Sequence, residues 1–219
     1  MKKSFSNILV VFILGMVFLG CSSKKSTSTI QEYNKPAIYW YNKMIKHIAS
    51  YDLDEADDTF TSLESEHRNS PLLPSAMMII ASAHMEEEEY QMANYYFDEY
   101  LKRFSLKKDS DYIRYLKIKS NFLAFSRQFR EQKLLDETLQ QTEEFIRSYP
   151  RSEYIHLVQT MKSRLMMAQA LFNKEIAELY GRIDKPDAKK FYENKASNKW
   201  KNYDKIEKPE IPWYKSIFE

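Results

Sequence analysis

Residues 50–60 read SYDLDEADDTF, and residues 87–97 read EEEYQMANYYF. Laid one on the other, Ala56 falls on Ala93, Phe60 on Phe97, Leu53 on Tyr90 and Leu63 on Tyr100. Each set is a large apolar residue, a small residue three later, an aromatic four after that and another large residue three further on. That spacing is one face of an α-helix. The small residue lets a preceding helix approach closely, and the large ones fill the seam. A helical hairpin is therefore used twice, with a period in the thirties. No such unit buries its own apolar face alone, so the units must stack.

Composition agrees with an all-α chain. Of 219 residues only 3 are Gly, and Gly15 and Gly20 lie in the first twenty, leaving Gly181 for the body. Strand-and-turn proteins need Gly for positive φ, so the scarcity argues for helices throughout. Aromatics make up 15%, enough to fill inter-helix seams. The expected architecture is a tetratricopeptide-like helical-repeat solenoid of about four helix pairs, closed by an irregular Pro/Trp C-terminal tail. Formal net charge is +2, and without Lys2 and Lys3 the balance is 31 basic to 31 acidic residues. That gives no basic footprint for nucleic acid.

The N-terminus reads as an address. Lys2 and Lys3 precede an apolar run over 8–19, then Gly20 and Cys21. The run is short of the roughly 20 residues a bilayer crossing takes, and fits the apolar region of a secretory signal. The single Cys of the chain stands where cleavage would fall, which resembles the lipobox of bacterial lipoproteins, with Phe18 where Leu is usual. That resemblance implies diacylglycerol on Cys21, cleavage before it and acylation of the new amino terminus, and Ser22 resembles the outer-membrane sorting pattern. The plain alternative is a signal peptide or anchor with an incidental Cys. The expected divisions are a signal peptide at 1–20, a lipidated flexible tether at 21–35, a helical-repeat domain at 36–195 and a tail at 196–219.

Within the body, Trp40, Met44, His47 and Ile48 form the first seam, answered by Leu53, Ala56, Phe60 and Leu63, with Asp52 as a helix cap. Met77, Ile80, Ala81 and His84 face Tyr90, Ala93, Phe97 and Tyr100 in the second repeat. The third runs from Tyr112 to Phe129 with Ser126 as its small contact, then through Leu135, Thr138, Leu139, Thr142 and Phe145. Thr138 and Thr142 read as poor seam residues. A long helix runs from Ser152 to about Tyr180, then a stub from Pro186 to about Lys195 carries Ala188, Phe191 and Tyr192 at the repeat spacing. The tail holds Trp213, Tyr214 and Phe218 among prolines. It either wraps back on the last helices or binds a partner.

No residues form a catalytic constellation. His67 and His156 lack ligand-spaced partners, His47 and His84 share one repeat position and read as seam residues, and the acidic run at 86–89 reads as a solvated corner. No metal or cofactor is expected beyond the covalent lipid on Cys21. What the array offers is a groove along the first helix of each pair. Its inward positions are Tyr41, Ile45 and Ile48, then Met78, Ser82 and Met85, then Leu123, Arg127 and Arg130: an apolar floor turning basic, suited to an extended peptide with aromatic side chains.

A lipidated Cys, a short tether and a few helical repeats resemble the BamD family of outer-membrane β-barrel assembly lipoproteins, also called competence lipoproteins. Three landmarks carry the likeness: DYIRYL at 111–116, FIRSYPRSEY at 145–154, and EIAELY at 175–180 with Ala188 and Tyr192 following. It covers about 36–195. The chain departs from the family at Met44, in having no inter-helix Gly, and in its short final helix pair. The resemblance implies a non-enzymatic scaffold in the outer membrane, facing the periplasm. Its partners would be a BamA-like barrel subunit bound through the C-terminal half, unfolded outer-membrane proteins, and the membrane through the lipid. Trp213, Tyr214 and Phe218 would join or replace the barrel-subunit contact. The alternative is a helical-repeat lipoprotein that binds peptidoglycan or organises the envelope.

Overall fold

The computed structural model of the chain describes residues 32–104, 110–127 and 132–201, with backbone only at 126 and 127. Cys21, Arg130, Trp213, Tyr214 and Phe218 lie outside the described residues, as does the side chain of Arg127. Two units separate, Met1–Lys35 and Pro36–Glu219. All the helices described here belong to the second.

Among the described residues there are eight helices and no strand. They are α1 (Ala37–Ala49), α2 (Leu53–Glu66), α3 (Leu73–Glu86), α4 (Tyr90–Phe104), α5 (Ser110–Arg127), α6 (Gln132–Ser148), α7 (Ile155–Arg182) and α8 (Pro186–Lys199). Each packs on the next in sequence, α5 also touches α7, and α1 touches α3. This is the expected tetratricopeptide-like arrangement of helix pairs.

The seams follow the pattern of the sequence. Ala56 and Ala93 are wholly buried, and Met44, Leu63, Met77, Ile80 and Phe97 are sealed around them. A continuous core runs from Trp40 through Tyr100 to Ile113 and Leu116 on α5. Burying a side chain such as Phe97 contributes about 2–3 kcal/mol. Two smaller cores continue it, one of Phe125, Leu135, Leu139, Leu165 and Phe172 and the other of Ile118, Phe145, Val158 and Met161. No helix of the described residues is long and apolar enough to cross a membrane.

The turns manage without glycine. Tyr51, Glu88 and Asp184 have φ of 59°, 65° and 55°. In each turn the next residue donates its N–H back to the carbonyl three residues inside the helix: Asp52 to His47, Glu89 to His84 and Lys185 to Tyr180, at 3.0, 2.8 and 3.0 Å. These are Schellman closures, which satisfy helix-end carbonyls and favour Gly at the left-handed position. Asp52 also caps α2, accepting from the Glu55 N–H at 3.4 Å.

The repeat is fixed at 37 residues by matching bonds. His84 Nε2 meets Asp57 Oδ1 at 2.9 Å, and Asn94 Nδ2 donates to Asn121 Oδ1 at 2.6 Å. Each partner in the second bond lies 37 positions after its counterpart in the first. The register of the third repeat therefore differs from the expected one. Ser120, fully buried, is a small contact residue of α5, and its hydroxyl faces the Tyr90 carbonyl at 3.4 Å.

Three further readings change. Thr138 and Thr142 are fully buried, because their hydroxyls donate to the carbonyls of Leu134 and Leu139 at 2.6 and 2.7 Å and so bring no unmet polar group into the seam. α7 begins at Ile155 rather than Ser152, since Ser152 belongs to the preceding turn, its N–H donating to the Tyr149 carbonyl and its Oγ accepting from the Tyr154 N–H. α8 continues to Lys199, and its buried contact is Ala196, while Phe191 is exposed.

Candidate peptide groove

α3 presents Met78, Ile79, Ser82, Ala83 and Glu86 along one side, two adjacent rows of a helix surface. Ile48 from the end of α1, Tyr100 from α4, and Tyr112 and Ile113 from α5 complete a cavity of about 460 Å³ with these residues. Its walls are mostly aliphatic and aromatic. Polar groups are few: the Ser82 hydroxyl, the Glu86 carboxylate and two phenols. A pocket that is apolar with a few placed polar groups suits large side chains of an extended chain.

Tyr112 carries the groove onward. Its ring lies 5.2 Å from that of Tyr154, which stacks on Tyr115 at 4.7 Å and 10°. The stack is set by α5 and by the turn before α7. Asp111 Oδ1 accepts from the Tyr112 N–H at 2.9 Å, and Ser152 Oγ accepts from the Tyr154 N–H at 3.2 Å.

Of the predicted groove residues, Ile48, Met78 and Ser82 line this cavity together. Tyr41, Ile45 and Met85 are half-buried against the main core and do not line it. Leu123 is half-buried beyond it. The 37-residue register puts Tyr115, Lys119 and Phe122, not Leu123, Arg127 and Arg130, at the positions equivalent to Met78, Ser82 and Met85. Ile79, Ala83, Glu86, Tyr100, Tyr112 and Ile113 were not anticipated. Ile113 had a signal: it falls 37 residues after Ala76, which is wholly buried on α3.

Beside the groove, His84 is almost fully buried and both its ring nitrogens face carboxylates, Glu89 at 2.6 Å and Asp57 at 2.9 Å. Two acceptors require two N–H groups, so the imidazolium is the form that satisfies both. Burial opposes the charge, but the bonds to Asp57 and Glu89 outweigh it and hold the pKa above the ordinary histidine value. The Tyr96 hydroxyl donates to Asp57 at 2.5 Å, and burial first, then this carboxylate, push its pKa up. Glu89 is therefore bonded into the seam and is not merely a solvated corner residue. No group of three or more potential metal ligands occurs among the described residues.

The chain as a whole matches known sequences. The profile of the outer membrane lipoprotein family YfiO matches residues 33–206. The outer membrane protein assembly factor BamD of Helicobacter pylori (strain ATCC 700392 / 26695) is 37% identical over 218 residues, covering 99% of this chain and 98% of that protein. The chain belongs to the BamD family. Membership makes it an outer-membrane lipoprotein and an assembly factor of the BAM complex, not an enzyme. In this member of the BamD family the segments at 111–116 and 145–154 are in contact. Asp111 and Ser152 bond at 2.7 Å, and Tyr112 and Tyr115 pack on Tyr154.

Proposed function

We propose that this lipoprotein, anchored through Cys21, holds unfolded outer-membrane protein segments in the groove of Ile48, Met78, Ser82, Tyr100 and Tyr112. A BamA-like barrel subunit binds its C-terminal half, with Trp213, Tyr214 and Phe218 contributing. The observation that carries the groove reading is a mostly apolar cavity of about 460 Å³ bounded by three first helices and one second helix, a surface that a stacked array leaves open to an extended chain. The work done is binding: apolar anchors in a preformed groove, with little conformational change to offset the gain.

The test is site-specific photocrosslinking in the intact complex. A photoreactive residue at Met78 or Tyr112 should capture unfolded outer-membrane proteins, and one at Tyr95, exposed on the far side of α4, should not. Ser82→Arg, which places a charge in the groove, should reduce that capture about tenfold or more. Equal labelling from all three positions would overturn the groove assignment. Two further arms address the anchor and the partner. Cys21→Ser should leave the chain unlipidated and release it from the outer-membrane fraction, and truncation after Lys199 should lower recovery of the barrel subunit.

A further inference from the structure

The groove has two unlike ends. Equivalent residues of successive first helices stand at one level, and Ile113 is equivalent to Ala76. Tyr112 and Ile113 therefore stand at the Met78 end of α3, and Tyr100 joins them because α4 runs back along α3. Glu86 closes the other end, with Ile48 at its level. Glu86 is exposed, and it makes no hydrogen bond or ion pair with any described residue. Among the described residues lining the cavity it is the only charged one. It is also the last residue of α3, where the helix dipole already places partial negative charge. A carboxylate there works against the dipole and gains nothing inside the chain. Lys119, equivalent to Ser82 one repeat on, does not line the cavity. The groove therefore ends acidic, where the sequence pattern placed a basic end at Arg127 and Arg130.

We propose that Glu86 selects what the groove holds: an extended segment of an unfolded protein with two large apolar side chains two residues apart and a lysine or arginine two residues beyond, toward Glu86. This rests on the groove reading above and names the class of segment it takes. From Met78 to Glu86 is eight helical residues, about 12 Å. An extended chain covers that in about four residues, and its alternate side chains share a face. The apolar pair lies on Met78, Ile79, Tyr100 and Tyr112, and the cation reaches Glu86. A lysine or arginine lays its aliphatic stem on Ile48 and keeps its charged head in water, so the pairing costs little desolvation. An acidic residue at the same place meets both the carboxylate and the negative end of α3. The pair gives modest affinity, and its weight is in which segments are accepted.

The test uses the full-length lipidated chain in detergent micelles. The probes are fluorescent capped peptides, Ser-Phe-Ser-Tyr-Ser-Lys-Ser and its reverse, so that both chain directions are sampled. Anisotropy gives the affinity, and a photoreactive residue at Met78 reports where the peptide sits. In at least one direction the lysine peptide should bind about three- to tenfold tighter than the same peptide with glutamate in place of lysine. That gap should shrink with salt. Glu86→Lys should reverse the order, and Glu86→Gln should bring the two peptides close together. Glu86 is exposed and unbonded, so both variants keep the fold. Equal binding of the two peptides with capture at Met78, or a preference that survives Glu86→Lys, would overturn the charge selection and leave the groove reading standing. Capture of neither peptide at Met78 would overturn both. Residues 211–215 of this chain, IPWYK, fit the same pattern. Binding seen only after truncation following Lys199 would make the tail the occupant and overturn the assignment to unfolded proteins.

Discussion

The Ser152 hydroxyl donates to the Asp111 carboxylate at 2.7 Å, joining the start of α5 to the turn before α7 across 41 residues. Both ends of this bond do a second task. Asp111 accepts from the Tyr112 N–H and Ser152 from the Tyr154 N–H, so one small network fixes two chain turns and brings Tyr112, Tyr115 and Tyr154 into a stack. The groove ends at Tyr112, so this joint sets the groove's far wall.

Removing the joint should loosen that wall before it unfolds the array. Asp111→Ala should lower stability by about 1–2 kcal/mol, the scale of losing a charge-assisted bond and a local cap. Ser152→Ala should cost about 1 kcal/mol. A double-mutant cycle followed by urea unfolding should return a coupling energy above about 0.5 kcal/mol. Strict additivity would mean the two side chains act separately.

The His84 cluster gives a pH dependence with a definite sign. A histidine whose folded pKa lies above its unfolded value contributes fully where both states are protonated, and that contribution fades as pH rises through the folded pKa. The bonds to Asp57 and Glu89 raise His84 in this way, against the effect of burial. His84→Asn, the residue found 37 positions later, should cost about 2–3 kcal/mol near pH 6. The difference from wild type should narrow steadily toward alkaline pH. A difference that widens there would mean the neutral ring is the native form.

Most of the fold was legible because its seams obey one spacing. Ala56 with Phe60 and Ala93 with Phe97 announce two like hairpins, and most residues the pattern names are buried. His47, Ile48 and Tyr90 are only half-buried, and Leu73, Ala76 and Tyr96 join the core unnamed. The third repeat was misread for a physical reason. Its first helix carries Arg114 and Lys117 where repeat two has Met77 and Ile80, so an apolar template slides to the next aromatic set. The true register is held by Asn94 and Asn121, and hydrogen-bonding pairs leave no hydropathy signal. Two thirds of the cavity lining was missed, and only its α5 part on the same account. Tyr112 and Ile113 enter it only in the 37-residue register, and Tyr100 had been assigned entirely to the seam.

Left-handed turn positions filled by bulky residues are places where stability is recoverable. Tyr51 closes the α1–α2 turn at φ 59° with its side chain largely exposed. Tyr51→Gly therefore gives up little packing and removes the steric cost of a Cβ in that region, roughly 1–2 kcal/mol. The greater freedom of Gly in the unfolded chain takes back part of this. The net expectation is a gain of about 0.5–1 kcal/mol in urea unfolding. Glu88→Gly is a poorer choice, because it perturbs the residue beside Glu89 and the His84 tie.

The last hairpin separates two rival readings of the C-terminal seam. If Phe191 were its anchor, Phe191→Ala would cost the several kcal/mol of a core truncation. It is 59% exposed, however, whereas Ala196 is wholly buried, and α8 packs along α7. Phe191→Ala should thus cost less than about 1 kcal/mol. Ala196→Met, which forces a long side chain into the closed contact, should cost about 1–3 kcal/mol. Because Ala196 sits four residues before Trp200, whose N–H closes the helix end on the Ala196 carbonyl at 3.0 Å, overpacking there should also displace the start of the C-terminal tail. Trp200 fluorescence offers a local readout, in a variant whose Trp40 and Trp213 are replaced by Phe. A shift of that emission in Ala196→Met, with none in Phe191→Ala, is the expected pair of results.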